Sequence, residues 1–89
     1  MTEMSLSTLI ALLVECAGEE EGVDLNGDIL DVPFVELGYD SLAVLQTSGR
    51  IERDYGIQLS DDTVAEAYTP RLLLEFVNES LSAATAAAA

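Results

Sequence analysis

The sequence predicts an all-α fold: a four-helix bundle of three main helices and one short third helix, with a long ordered loop between the first two helices. Three observations carry that expectation. Nearly half of the 89 residues are apolar, and they recur at three- and four-residue steps in separate stretches, the signature of amphipathic helices rather than strands. The two prolines, Pro33 and Pro70, fall between those stretches instead of inside them. The length suits one domain with one modest core. We place that domain at residues 1–82, followed at 83–89 by an alanine-rich tail that is expected to be disordered and without function.

The first helix is expected from about Ser5 to Ala17, with Leu6, Leu9, Ile10, Leu13 and Ala17 on one face and Gly18 as its stop. Cys16 sits at the edge of that stripe and reads as a small core residue, since no neighbouring cation in the sequence would stabilise a thiolate. Residues 19–40 form a connection punctuated by Gly22, Gly27, Pro33 and Gly38. Its apolar residues, among them Val23, Leu25, Ile29, Phe34, Val35 and Leu37, suggest that it packs across the bundle.

The second helix is expected to start at Asp40 or Ser41 and run to Tyr55, with Gly56 as terminator. Its core side carries Val44, Ser48, Ile51 and Tyr55. A short third helix follows the Ser60-Asp61-Asp62 cap and carries Val64, Ala65 and Ala67, although a single turn satisfies the same pattern. The last helix has Thr69 as N-cap and Pro70 at its first position. Leu73, Phe76, Val77 and Ser80 share its inner face, and it is expected to end near Ser82.

Charge narrows the function classes. Seventeen Asp and Glu face only Arg50, Arg53 and Arg71, with no lysine or histidine, for a net charge of −14. Such a surface repels nucleic acid and anionic membrane and attracts proteins with basic faces. Disorder is the competing reading of high charge, but the apolar fraction is too large and too periodic for it. A single cysteine makes no internal disulfide, the amino terminus lacks the pattern of a secretory signal, and no apolar run approaches a bilayer span, so a cytoplasmic monomer is expected.

The same inventory removes most chemistry. Without His or Lys, neither a Ser-His-Asp nor a Ser-Lys site can be built, and paired carboxylates would need a cleft that a bundle of this size hardly leaves. Asp24, Asn26 and Asp28 alternate as in a calcium loop, but the pattern needs glycine at its sixth position and glutamate at its twelfth, where Ile29 and Val35 stand. A solvated acidic loop is the expectation, with no metal and no catalytic residue.

The informative stretch is Leu37-Gly38-Tyr39-Asp40-Ser41-Leu42, a glycine turn that delivers a serine to the head of a strongly patterned helix. A phosphate on that hydroxyl would face unpaired N–H groups and the positive end of the helix dipole, a setting favourable by roughly 0.3–1 kcal/mol. From the hexapeptide alone, Asp40 and Ser41 read equally well as plain caps. Leu42 shifts the balance, because it projects about 150° from the core stripe. With Glu36, Asp40 and Glu52 around it, Leu42 would be an apolar anchor in an acidic rim beside a modifiable serine.

These residues resemble the acyl carrier proteins, through Asp40-Ser41-Leu42 at the head of the second helix of four, over about residues 6 to 81. Within that family the similarity is to the discrete carriers of bacterial aromatic (type II) polyketide synthases. It rests on Gly22-Val23-Asp24-Leu25, Asp28-Ile29, Phe34, the run from Glu36 through Leu42, and Arg50-Ile51-Glu52-Arg53-Asp54-Tyr55-Gly56. The resemblance implies that a phosphopantetheinyl transferase attaches 4'-phosphopantetheine to Ser41. The arm's thiol would then carry malonyl units and the growing polyketide as thioesters. Implied partners are a malonyl acyltransferase, a ketosynthase with its chain-length factor, and a ketoreductase or cyclase. Glu36, Asp40, Leu42 and Glu52 match positions through which such carriers meet basic enzyme faces.

Two departures from the fatty-acid carrier pattern bear on partner choice. Arg50 and Arg53 interrupt an acidic second helix and are expected to project to solvent, where they would disfavour enzymes that dock on a uniformly acidic helix. Thr47-Ser48-Gly49 is small and partly polar. Either a polar polyketide rests between the second and third helices against Ser48 and Ile51, or Ser48 and Gly49 simply permit close helix packing. The competing functions are a fatty-acid carrier, from which these two departures distinguish the chain, a peptidyl carrier, disfavoured by the acidic balance and the Gly38–Leu42 run, and an unmodified acidic adaptor, which leaves the Ser41-Leu42 pair without purpose.

Overall fold

A computed structural model describes residues 3–18 and 28–88 of the chain. In order along it come α1 (Leu6–Ala17), a 3-10 turn (Phe34–Leu37), α2 (Ser41–Tyr55), α3 (Asp61–Glu66) and α4 (Pro70–Ala88), the all-α bundle that the periodicity predicts. α1 begins where the Ser5 hydroxyl accepts the Thr8 N–H at 3.3 Å, and it ends at Gly18, whose N–H donates to the Val14 carbonyl. Thr69 caps α4 by accepting the Leu72 N–H at 3.2 Å.

The core is one cluster in which Leu9 and Leu13 of α1, Ile51 of α2, and Leu73 and Val77 of α4 are sealed from solvent. α1 packs most extensively against α2, and α3 closes one side against α2 and α4. The stripe expected on α1 is shifted slightly: Leu12 is buried, Leu6 and Ile10 are half-buried and Ala17 is exposed. Leu81, one turn beyond Val77, is also buried on the inner face of α4.

The described part of the first connection packs as expected, with Ile29, Phe34, Leu37 and Tyr39 buried. It is tied to the head of α4. The Arg71 N–H donates to the Leu30 carbonyl at 2.9 Å and the Phe34 N–H to the Tyr68 carbonyl at 2.8 Å. The Arg71 guanidinium grips both oxygens of Asp31, at 2.7 and 3.2 Å, and the hydrogen bond it makes there lowers the Asp31 pKa below its ordinary value. Asp24 and Asn26 of the calcium-like pattern, and the Gly22–Leu25 stretch, lie outside the described residues.

One expectation about the elements needs correction. α4 does not stop near Ser82; residues 83–88, read as a disordered tail, continue it as helix to Ala88. The physical reason is that alanine has the highest helix propensity and that propagating an existing helix avoids the cost of nucleation. α3 is the short third helix that the sequence predicts, six residues opened by the Ser60 hydroxyl accepting the Thr63 N–H.

Candidate functional site

The turn before α2 is held from several sides. Gly38 adopts the left-handed conformation, at φ 90°, and ends the 3-10 turn by donating to the Phe34 and Val35 carbonyls, a geometry that a side chain at this position would strain. Tyr39 is buried. Its N–H donates to the Phe34 carbonyl at 3.0 Å and its hydroxyl to the Gly18 carbonyl at 2.8 Å, which ties the residue to the end of α1. Asp40 then adopts extended backbone, and its Oδ1 accepts the Ala43 N–H at 2.8 Å, so the true N-cap of α2 is Asp40.

Ser41 is therefore the first residue of α2 and is exposed. With capping assigned to Asp40, the serine hydroxyl is not needed to finish the helix. That separates the two readings that the sequence left level at this position. Next to it Leu42 is 60% exposed, and Leu45 one turn on is also open to solvent.

A cavity of about 380 Å³ opens beside Ser41, between the 3-10 turn, α2 and α3. Phe34, Tyr39, Val44, Val64, Ala67 and Tyr68 give it a largely apolar wall, while Asp40, Ser41 and Asp61 add polar atoms. Val64 and Ala67 were visible in the sequence as the apolar positions of α3. Phe34, Tyr39 and Tyr68 come to the site only through the folding of the loop onto the α3–α4 junction, and no local periodicity marks them.

The residues expected to touch a carried chain lie elsewhere. Ser48 and Ile51 are fully buried, and neither lines the cavity. The Ser48 hydroxyl donates to the Val44 carbonyl at 2.8 Å and Thr47 to the Ala43 carbonyl at 2.9 Å, so both protons are already used within the helix. Nor does Gly49 serve close helix packing: it is exposed, and a Cβ added there would meet nothing within 4 Å.

The docking residues also separate. Glu36, Asp40 and Leu42 are exposed around the head of α2. Glu52 is half-buried and, at 1.5 Å rise per residue, about 15 Å along the helix from Leu42, so it cannot complete a rim there. Arg50 does not project freely to solvent. Only 28% exposed, it binds Glu15 of α1 at 2.9 Å and Asp54 at 2.6 Å. The hydrogen bond from Arg50 lowers the Asp54 pKa, and Asp54 and Glu15 together hold Arg50 more firmly protonated. Arg53, at 73% exposed, has only a 3.5 Å contact with the same Asp54.

This geometry suits a covalent phosphodiester: an accessible hydroxyl at a helix N-terminus, a preceding turn locked in place, and an apolar recess alongside. The family model described as "Phosphopantetheine attachment site" matches residues 11–77. The chain is 61% identical to the oxytetracycline polyketide synthase acyl carrier protein of Streptomyces rimosus, over 99% of this chain and 93% of that protein. Among solved structures, the solution structure of the oxytetracycline acyl carrier protein aligns with a TM-score of 0.80 at 63% identity, covering 94% of this chain and 88% of the other. The hexanoyl form of the carrier from the actinorhodin polyketide synthase of Streptomyces coelicolor aligns at 0.84 and 44% identity, covering 93% and 96%. The chain thus belongs to the phosphopantetheine-bearing acyl carrier proteins of polyketide synthases, carrier subunits rather than catalysts.

Proposed function

We infer that Ser41 holds the 4'-phosphopantetheine arm and that the chain delivers malonyl units and a growing polyketide to the enzymes of a type II synthase. The observation that carries this reading is the division of labour at the head of α2, where Asp40 caps the helix and Ser41, exposed beside the cavity, is left over. When bound, the arm supplies a thiol that carries acyl groups as thioesters. The chain's own residues hold its root: the first-turn N–H groups and the helix dipole favour the phosphodiester, and Tyr39 keeps the turn from shifting.

The cavity offers a carried chain a wall of Phe34, Val44, Val64 and Ala67, with Tyr68 and Asp61 as polar neighbours. That mixture suits a chain that alternates carbonyl and methylene groups better than a purely apolar one. The 3-oxo-butyl and 3,5-dioxohexyl forms of the actinorhodin relative, an intermediate mimic and a triketide mimic, support loading of this kind.

Partners are expected to be the phosphopantetheinyl transferase, a malonyl acyltransferase, a ketosynthase with its chain-length factor, and a ketoreductase or cyclase. All would meet a surface of net charge −14, so their docking faces should be basic and their encounters weakened by salt. We place the function in residues 1–82 and assign none to 83–89. A monomer working in the cytoplasm is part of this proposal. No described helix is long and apolar enough to cross a membrane.

The test is reconstitution. The holo chain, loaded with malonyl groups and mixed with the ketosynthase and chain-length factor of an oxytetracycline-type synthase, should support polyketide formation. A chain that accepts the arm and malonyl groups but yields no product with any type II ketosynthase would return the assignment to a fatty-acid or peptidyl carrier.

A further inference from the structure

The cavity beside Ser41 is apolar in its walls and of one sign where it is charged. Asp40 and Asp61 line it together with Ser41, and none of the three arginines does. Among the described residues neither aspartate belongs to an ion pair: Arg50 binds Glu15 and Asp54, Arg53 shares Asp54, and Arg71 holds Asp31. Arg53, the most exposed of these cations, stands about 18 Å along α2 from Ser41.

Two helix heads flank this cavity, and a helix N-terminus attracts anions, but each is already faced by carboxylates of its own. Asp40 caps α2 by accepting the Ala43 N–H at 2.8 Å, and Asp61 and Asp62 occupy the first turn of α3. An arm on Ser41 adds a further negative charge, its phosphodiester. The Tyr39 hydroxyl, which could otherwise serve an anion, donates to the Gly18 carbonyl.

The acyl groups that travel on the arm differ in charge. A malonyl thioester ends in a carboxylate. When it extends an acyl chain, its bond to that carboxylate breaks, the electron pair forms the new C–C bond to the acyl carbonyl carbon, the thiolate that held the acyl group leaves, and carbon dioxide is released. The lengthened β-keto chain left on the arm is neutral.

We propose that the cavity sorts the arm's cargo by charge: Asp40 and Asp61 hold an anionic acyl group out in solvent, where an enzyme can reach it, and admit a neutral chain to the apolar recess. The apolar walls lower the local dielectric and so strengthen the repulsion between like charges. A carboxylate inside would also lose its hydration. The second effect belongs to any apolar pocket and the first to this one, so Asp61 is a specificity-determining residue whose removal tells them apart. The inference deepens the carrier reading above and rests on it.

The experiment uses the full chain as wild type, Asp61→Asn and Asp61→Lys. A broad phosphopantetheinyl transferase loads each from coenzyme A, hexanoyl-coenzyme A, adipoyl-coenzyme A or malonyl-coenzyme A, with intact mass as the check. The hexanoyl and adipoyl groups are both six carbons long and differ only in that a carboxylate replaces the terminal methyl. The readout is the amide chemical shift of Val44, Val64 and Ala67, which line the cavity, relative to the unloaded holo form. In the wild type, hexanoyl should move these amides, and adipoyl and malonyl should move them about tenfold less. The adipoyl shifts should grow severalfold in Asp61→Asn and approach the hexanoyl shifts in Asp61→Lys. A thermal melt and the hexanoyl shifts of each variant report whether its cavity is intact, and where Asp61→Lys loses it, Asp61→Asn decides.

Adipoyl shifts equal to those of hexanoyl in the wild type would overturn the proposal, as would a hexanoyl arm that leaves all three amides unmoved. Adipoyl shifts as small in the folded variants as in the wild type would assign the exclusion to hydration and overturn the role of Asp61. A wild-type chain that never accepts the arm would overturn the carrier reading itself, whereas an arm that is attached but unsorted overturns the charge sorting alone.

Discussion

Along the inner face of α2, Val44, Ser48 and Ile51 are closed off from water, and the hydroxyls of Thr47 and Ser48 are committed to backbone carbonyls one turn back. The outer face of the same helix leaves Leu42 and Leu45 open to solvent, places a glycine where alanine would be more stable, and ends in an arginine with one weak ion pair. The inner face satisfies every group it buries. The outer face gives up helix stability and exposes apolar surface, as a face that meets partner proteins is expected to do.

The sharpest way to break this contrast is truncation on each side. Ile51→Ala should cost about 2–5 kcal/mol of unfolding free energy, because it opens a cavity in a fully buried site. Leu42→Ala should stay within about 0.5 kcal/mol, as an exposed substitution away from any cap or core contact. Denaturant unfolding of the two variants decides the matter, and equal losses would mean that the outer leucine belongs to the core after all.

A smaller effect is expected at the point where the faces meet. Asp40→Ala should lose about 1 kcal/mol of stability, since Asp40 accepts the Ala43 N–H at the head of α2. Ser41→Ala should leave stability nearly unchanged, so the pair tests whether capping and attachment really are divided between neighbours. Ser48→Ala sharpens the comparison further: a cost of no more than about 1 kcal/mol in unfolding, with no change in delivery of the loaded chain, would agree with a hydroxyl used inside the helix.

The mildest prediction concerns Arg50, which ties α2 to α1. Its hydrogen bond holds the Asp54 pKa below the ordinary carboxylate value, so its stabilisation is fully present well above that ordinary value and fades as pH falls through the lower folded-state value. The melting-temperature gap between wild type and Arg50→Ala should therefore hold from neutral pH to about pH 5 and narrow in more acid solution. A gap that widened on acidification would contradict the pairing. Taking the difference cancels the general relief of negative charge on acidification, which both proteins share.

Much of this was legible in the chain, and what was not shares a physical cause. Helical period and local capping chemistry revealed α1, α2 and the start of α4, because those signals are written within a few residues of one another. Asp40-Ser41-Leu42 was legible as a special place for the same reason, although which of the first two capped the helix depended on one backbone conformation. The inward turn of Arg50 was hidden, since its partner Glu15 lies 35 residues earlier on another helix. Ser48 and Ile51 were placed correctly on the core side, but that neither lines the cavity was hidden, since where that core opens is decided by the docking of α3 and the loop, not by α2. The end of α4 was missed because an alanine run has no stripe to read, yet needs none to continue a helix.

The account stands most directly on the hydroxyl of Ser41, and mass spectrometry after incubation with coenzyme A and a phosphopantetheinyl transferase tests it. The wild-type chain should gain a single phosphopantetheinyl group, mapped to Ser41 by fragmentation, and Ser41→Ala should gain none while melting as the parent does. A group found on another residue, or an unmodified wild-type chain, would contradict it.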